Sequence, residues 1–530
     1  MASLVLEFGL NSKSVEVHGY DAHKKRWEVK EPGAERCEVR VKAGSLSLRV
    51  SERPKIQVST LDGRTVSLLA YQALESCFAV ECDGERMELP AASLRDASGS
   101  PLQPPVQVMD GPASTGQQLV RARWRFSPGQ VIFEEAPSLF MNGVCSDIYA
   151  MSKVLDRFFA LPQADRTRIL ALHPSDAIHL KHGQQCAAPT LAYADHTVDR
   201  SSVEASTLLG LLKQDGYCVP EGEEAVAEKF LLVWDANAFD SDTGRVIYVI
   251  LSRVNHSCAP NALRVQHDDR ICLVALREIE PGEEVTQSYL NQDMLLEPRA
   301  MRQRRLTSWF PSCWCLRCAS EWDDVRCFPC ATKTCTDSAC TALSSAGIAG
   351  CNVCGAVPTN SASLLRMEQQ IVDKYLAFER CPETLTEKGI DGLLQLASRV
   401  LAPRHWVRAA LGDVAQDACT QIGAHCTDRP SSERVAAFER AVALTEDWCA
   451  SWRANLQVSA TCVALKRERA GDILTVLGRF PESIQQYLMA RSELASLAVP
   501  SRPDGSGRVE RIERKLRAAL NGESNDHDLR

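Results

Sequence analysis

Leu251-Ser252-Arg253-Val254-Asn255-His256-Ser257-Cys258-Ala259-Pro260-Asn261 is the stretch on which the reading of this chain turns. It sets an amide and an imidazole into a tight turn between apolar segments, and buried polar groups of that kind must find partners. Two elements follow in order. Ala275-Leu276-Arg277-Glu278-Ile279-Glu280-Pro281-Gly282-Glu283-Glu284-Val285-Thr286-Gln287-Ser288-Tyr289 passes a Pro-Gly turn, alternates as a strand and ends on a tyrosine. Cys313-Trp314-Cys315-Leu316-Arg317-Cys318 offers three thiolates, one short of a tetrahedral zinc site.

In this order and spacing the three elements closely resemble the SET-domain protein lysine methyltransferases, and among them the SET-and-MYND branch. Gly116-Gln117-Gln118-Leu119 and Pro128-Gly129-Gln130-Val131-Ile132-Phe133-Glu134-Glu135 resemble the family's opening strands, and Asn237-Ala238-Phe239 its pocket-lining segment. The likeness runs over residues 116–318, and His405-Trp406-Val407 resembles the branch's C-terminal helical domain. It implies a β-rich SET fold in which a later segment threads the Asn255-His256 turn as a pseudoknot. It further implies that S-adenosylmethionine is held by Gly116, Gln117, Asn237, Ser252, Val254, Asn255, His256 and Tyr289. The Tyr289 hydroxyl is then the catalytic group beside the transferring methyl. With an unperturbed pKa near 10, a phenol hydrogen-bonds at neutral pH rather than acting as a base. Phe239, Tyr248 and Phe310 are the candidate walls of a lysine channel. A dry aromatic channel disfavours the ammonium form of the incoming lysine.

The resemblance also supplies the fourth zinc ligand: Cys258 joins Cys313, Cys315 and Cys318. A second cluster holds Cys327, Cys330, Cys335, Cys340, Cys351 and Cys354. Cys351 and Cys354 form one half of a zinc ribbon. The other half is Cys330 with Cys335, as in ribbon inserts of SET relatives, or Cys327 with Cys330 at the commoner spacing.

Three features depart from the family pattern. Gln118 stands where a second glycine usually lets backbone approach the cofactor. Between 137 and 200 only Cys145 and Cys186 occur, so no eight-ligand MYND module is expected. Pro311 stands two residues before Cys313, where the family usually has an aromatic; Trp309 and Phe310 lie next to it.

Around this core the chain reads as an α+β multidomain protein. At 530 residues it has room for about three or four domains. Residues 1–100 read as strands in two weakly similar halves, fitting paired small β-barrels. A Ser-Gly-Pro-rich linker covers 98–113. The SET region spans 114–320, with a helical insert over about 146–205 and the post-SET zinc segment at 311–320. A zinc-ribbon-like segment follows at 321–358. Residues 362–522 read as helices, and Gly478, Pro481, Tyr487 and Ala490 give a tetratricopeptide-like pattern near their end.

Hydrophobic residues make up 45% of the chain and the net charge is −8, so neither global disorder nor a nucleic-acid grip is expected. Neither a signal peptide nor a membrane-spanning run is read. With 22 cysteines, the expectation is reduced, metal-binding thiols in cytoplasm or nucleus. The expected activity is methyl transfer to a lysine of a histone tail or another protein, with a possible partner protein docked on the helical domain. The competing expectation is an inactive SET-fold scaffold that binds partners through its helices. Gln118 favours the scaffold; Tyr289 with Asn255 and His256 favours the enzyme.

Overall fold

The computed structural model describes residues 8–10, 13–21, 26–30, 39–41, 47–48, 56–60, 65–82, 85–96, 100–111, 118–143, 148–174, 178–179, 202–241, 244–267, 270–307, 309–310, 312–332, 335, 341–344, 347–351, 353–380, 387–425, 431–453, 460–496 and 508–523. Gly116, Gln117, Cys145, Cys186, Pro311 and Cys340 lie outside them, as does most of 175–201 within the expected insert.

The N-terminal strands fall into two groups. Val39–Val41, Arg26–Lys30, Lys13–Asp21, Phe8–Leu10 and Ser47–Leu48 form a five-stranded sheet in that order. The second group, Ile56–Thr60, Thr65–Gln72, Cys77–Cys82, Glu85–Pro90 and Leu94–Arg95, belongs to a larger sheet of eight. Its parallel contact Gln72↔Glu134 joins Thr65–Gln72 to Val131–Glu135, which continues through Arg270–Ala275 to Ala262–His267. One apolar core therefore runs from Val66, Phe78 and Val80 to Phe133, Leu273 and Val285. Trp124 stacks on Phe78 at 5.7 Å across that boundary. Part of the stretch expected as a linker is also built in: Val106–Asp110 pairs with Gln118–Ala122, and Val106 is buried. The prolines at 101, 104 and 105 precede this strand rather than interrupt it.

The helical insert buries a core of its own. Helices Ile148–Phe159, Gln163–Leu170, Ala205–Gln214 and Glu224–Asn237 pack Phe158, Leu208, Phe230 and Trp234 together. The Phe158 and Phe230 rings stack at 3.9 Å; each such side chain contributes roughly 1.5–3 kcal/mol by leaving water. The insert is fastened by a small sheet of Leu139–Asn142, Gly244–Ile247 and Phe239–Ser241. A Cβ on Gly244 would lie 1.9 Å from the Met141 carbonyl oxygen, so only glycine admits this strand approach.

Beyond the thiol cluster, the strands Trp322–Phe328, Thr341–Ser344 and Gly347–Ile348 form a three-stranded sheet. It leads into helices Ser361–Arg380, Glu387–Val400, Trp406–His425, Ser431–Arg453, Ala460–Val476, Phe480–Ser496 and Arg508–Leu520. Leu296, Val325 and Phe328 share a core with Tyr375, Trp406 and Trp452, so the helical region packs against this sheet. A buried polar link reinforces the joint: Glu368 takes Arg326 at 2.7 and 2.6 Å and His405 Nε2 at 3.1 Å. Among the described residues no helix is long and apolar enough to cross a membrane.

Candidate active site and thiol centres

The site is made where two chain segments cross. Asn255–His256 and Thr286–Gln287 pair in parallel, Asn255 against Thr286 and His256 against Gln287. The Ser257 N–H donates to the Gln287 carbonyl at 2.8 Å. Gln287 is 1% exposed, and its amide donates to the carbonyls of Leu251 at 3.1 Å and Val254 at 3.3 Å. Asn261 repeats the device: its amide donates to the Glu284 carbonyl at 2.8 Å, and its Oδ1 accepts the Thr286 N–H at 2.7 Å. Short side-chain amides thus replace ladder hydrogen bonds where the chain is too irregular for a sheet.

A buried carboxylate holds the other side of the turn. Glu135 is fully buried, and its two oxygens accept the N–H groups of Ile250 and Leu251, each at 2.8 Å. These donors open the short 3-10 turn Leu251–Arg253, where orphan N–H groups need acceptors. Burial pushes the Glu135 carboxyl up to about 7 despite those bonds. Arg253 leaves the same turn and donates to Gln118 Oε1 at 2.6 Å and the Val249 carbonyl at 2.6 Å. The Gln118 amide also donates to Asp110 at 3.2 Å. The side chain at the glycine-like position is therefore tied to its own fold.

His256 is braced at both ring nitrogens. Nδ1 accepts the Tyr289 N–H at 2.9 Å, and Nε2 lies 3.2 Å from Cys258 Sγ. Burial holds this imidazole well below its usual range, at about 4, so the ring is neutral. Its side chain is committed to the protein. The Asn255 amide donates to Glu284 Oε1 at 2.8 Å. Ser252 Oγ, by contrast, is buried with no hydrogen-bond partner among the described residues. Asn237 ends a helix, and its amide donates to the carbonyls of His173 and Val233.

Tyr289 stands at the centre of an aromatic cluster. Its ring lies 5.3 Å from His256, 5.8 Å from Trp309 and 6.2 Å from Phe310. Its hydroxyl donates to the Val254 carbonyl at 3.4 Å, and burial raises the phenol to about 12. Phe310 is therefore brought to Tyr289, as is Trp309. Phe239 and Tyr248 pack 6.0 Å from one another in the sheet core instead, with the Arg264 guanidinium 5.2 Å over the Phe239 ring.

Two groups of four thiols complete the region. The sulfurs of Cys258, Cys313, Cys315 and Cys318 all lie within 4.8 Å of one another, as do those of Cys330, Cys335, Cys351 and Cys354. Four cysteines at such spacing match the donor set of a closed structural zinc site. Cys258 is carried by the pseudoknot turn and the other three by the segment after Phe310, so a metal there would staple one to the other. Arg317 adds to the join, donating to the carbonyls of Cys258 at 3.1 Å and Leu295 at 2.7 Å. Cys327 sits apart, buried against Ala402 with its thiol directed to the Asp324 carbonyl.

The SET domain family profile matches residues 118–290. Residues 118–290 are thus similar to a SET domain. The chain is 38% identical over 89 residues to mouse histone-lysine N-methyltransferase SMYD3, covering 17% of this chain and 20% of the relative. It is 31% identical over 109 residues to Arabidopsis thaliana histone-lysine N-methyltransferase ATXR2, covering 20% and 22%. It is 38% identical over 85 residues to chicken N-lysine methyltransferase SMYD2, covering 16% and 19%. The chain thus spans about a fifth of the length of these curated relatives.

Several residues of this site were not legible in the sequence. Glu135 had a signal, a carboxylate at the end of an apolar strand after Ile132 and Phe133. Gln287 and Asn261 had none, because their value lies in which distant carbonyls they reach.

Proposed function

We propose that this protein transfers methyl groups from S-adenosylmethionine to the side-chain amine of lysine in a histone tail or another protein. The observation that carries the proposal is the Tyr289 hydroxyl, held within one aromatic cluster against the Asn255–His256 turn. When bound, the cofactor supplies an electrophilic sulfonium methyl. The unpartnered Ser252 Oγ fits a ligand at that turn. Val254, Asn255, His256 and Tyr289 complete the holding set in our reading, with Gly116 and Gln117 on the preceding loop; the Asn237 amide is spent elsewhere.

The chain's own contribution is positioning and desolvation. Tyr289 stays protonated and orients groups by hydrogen bonding. The rings of Tyr289, Trp309 and Phe310 exclude water, which favours the neutral amine of a lysine brought among them. Calorimetric titration of the zinc-loaded protein with S-adenosylmethionine tests the reading, followed by a tritium-methyl assay on histone and protein mixtures. Saturable binding with label on lysine supports it; no binding sinks it.

Finer assignments belong with this proposal. We read both thiol groups as structural zinc sites and the first, five-stranded N-terminal sheet as a small barrel-like unit. The helices Ala460–Val476 and Phe480–Ser496 form a tetratricopeptide-like pair in this reading. Gly471 lies flat against the Tyr487 ring and Gly478 turns the chain at φ 71°. Such a region suits a partner protein, and the many free thiols suit cytoplasm or nucleus.

A further inference from the structure

Helix Ala460–Val476 carries four consecutive charged residues whose fates differ. Lys466 pairs with Asp413, Glu468 accepts Arg511 at 2.7 Å and Lys515 at 3.0 Å, and Arg469 pairs with Asp417. Arg467 is only 7% exposed yet has no carboxylate at ion-pair distance among the described residues. Its Nη1 donates to the neutral Gln486 Oε1 at 3.0 Å and approaches Met489 Sδ at 3.4 Å, while its Nε is buried without a partner. A buried cation without a counter-charge is costly, and proteins ordinarily pair it.

This guanidinium lines a cavity of about 470 Å³ between three helices, walled also by Glu446, Cys449, Ala450, Gln486 and Met489. We infer that the cavity is a binding site for a single carboxylate carried on a short apolar stem, with Arg467 as its counter-ion. The guanidinium fork matches a carboxylate in geometry and in charge. Cys449, Ala450 and Met489 offer an apolar wall to the stem. Glu446, whose Oε1 accepts the Gln486 amide at 3.2 Å, sets the limit on charge. A phosphate dianion would set two negative charges beside it, where a carboxylate sets one. The site is separate from the Tyr289 cluster and does not depend on the methyltransferase reading.

The test uses the full-length, zinc-loaded chain with carbon-13-labelled methionine methyls. The Met489 methyl reports titrations with acetate, with the capped dipeptide acetyl-Glu-Leu-amide and with inorganic phosphate. Saturable shifts with a carboxylate and none with phosphate are expected. Response to acetate and dipeptide alike identifies a free small acid as sufficient; response to the dipeptide alone identifies an acidic side chain of a protein. Arg467→Leu should weaken carboxylate binding by at least about tenfold while leaving the thermal midpoint unchanged or higher, because it removes an unpaired buried charge. Ala450→Phe, which narrows the cavity and keeps the cation, should also weaken binding. No shift with either carboxylate, equal binding of phosphate, or an unchanged titration in Arg467→Leu overturns the proposal. So does a large fall in the midpoint of Arg467→Leu with Ala450→Phe binding normally, which would make Arg467 a structural residue.

Discussion

The backbone N–H of Tyr289 donates to Nδ1 of His256 at 2.9 Å. One imidazole thereby fixes the end of the later strand to the earlier turn, and its other nitrogen meets Cys258 Sγ at 3.2 Å. Two segments 33 residues apart are thus registered through a single ring, which also touches a thiol of its own turn.

Replacing His256 with alanine should orphan that N–H and loosen the Tyr289 ring. The cost in stability is about 1–3 kcal/mol. Methyl transfer should fall more steeply than cofactor affinity, which a tritium-methyl assay beside calorimetry will show. Equal losses in both would mean that the imidazole itself touches the cofactor.

Tyr289→Phe removes a hydroxyl whose partner is the Val254 carbonyl at 3.4 Å, a weak bond that the fold tolerates losing. Turnover should drop by about a hundredfold or more, with cofactor binding within a few-fold. A fully active phenylalanine variant would refute the catalytic role.

Cys315→Ser should lower bound zinc by one atom per chain, read by native mass spectrometry. Because Cys258 lies in the turn we propose to hold the cofactor, the same variant should also lose S-adenosylmethionine binding. Cys354→Ser should lose a different zinc and keep cofactor binding. Unchanged metal content in either variant would remove that ligand set.

Glu135 gives a pH dependence with a definite sign. Its carboxyl is raised from 4.5 to about 7, so between those values the folded chain binds more protons than the unfolded one. Stability therefore falls as pH rises from about 5 to 7, by on the order of 3 kcal/mol from this group. Glu135→Gln should flatten that fall. Thermal midpoints of both proteins at pH 5.5 and 8 supply the comparison, and parallel pH trends would contradict it.

Gly471→Ala places a Cβ 2.5 Å from the Tyr487 ring. The ring cannot retreat easily, since Tyr487 is fully buried and its hydroxyl donates to Asp472 at 2.7 Å. Destabilisation of about 1–3 kcal/mol is expected, seen as a lower midpoint in far-ultraviolet circular dichroism. Methyl transfer at low temperature should be little changed.

The SET region was legible because its motifs are short and local. Asn255-His256, the strand ending at Tyr289 and the Cys-x-Cys-x2-Cys run each state their chemistry within a dozen residues. The amphipathic spacing of Ile371, Val372 and Tyr375 likewise exposed the first C-terminal helix, Ser361–Arg380. The joining of Thr65–Gln72 to Val131–Glu135 was not legible, because a single parallel contact across more than fifty residues leaves no periodic trace. Phe239 and Tyr248 show the same limit: their type suited a channel wall, but that the two rings pack 6.0 Å apart beside the sheet core is a matter of tertiary packing.

By itself the sequence determined the chemical inventory of this protein: a turn of polar groups, a buried-strand phenol, two sets of thiols and a helical C-terminal region. Side-chain type and local periodicity are properties of neighbours along the chain. Only the tertiary structure decided which groups face each other, that Gln118 clasps Arg253, that Glu135 holds the turn, that Arg467 meets no carboxylate at ion-pair distance among the described residues. Those outcomes depend on packing and desolvation among residues distant in sequence, and burial is what turns an ordinary carboxylate or guanidinium into a group that must be answered.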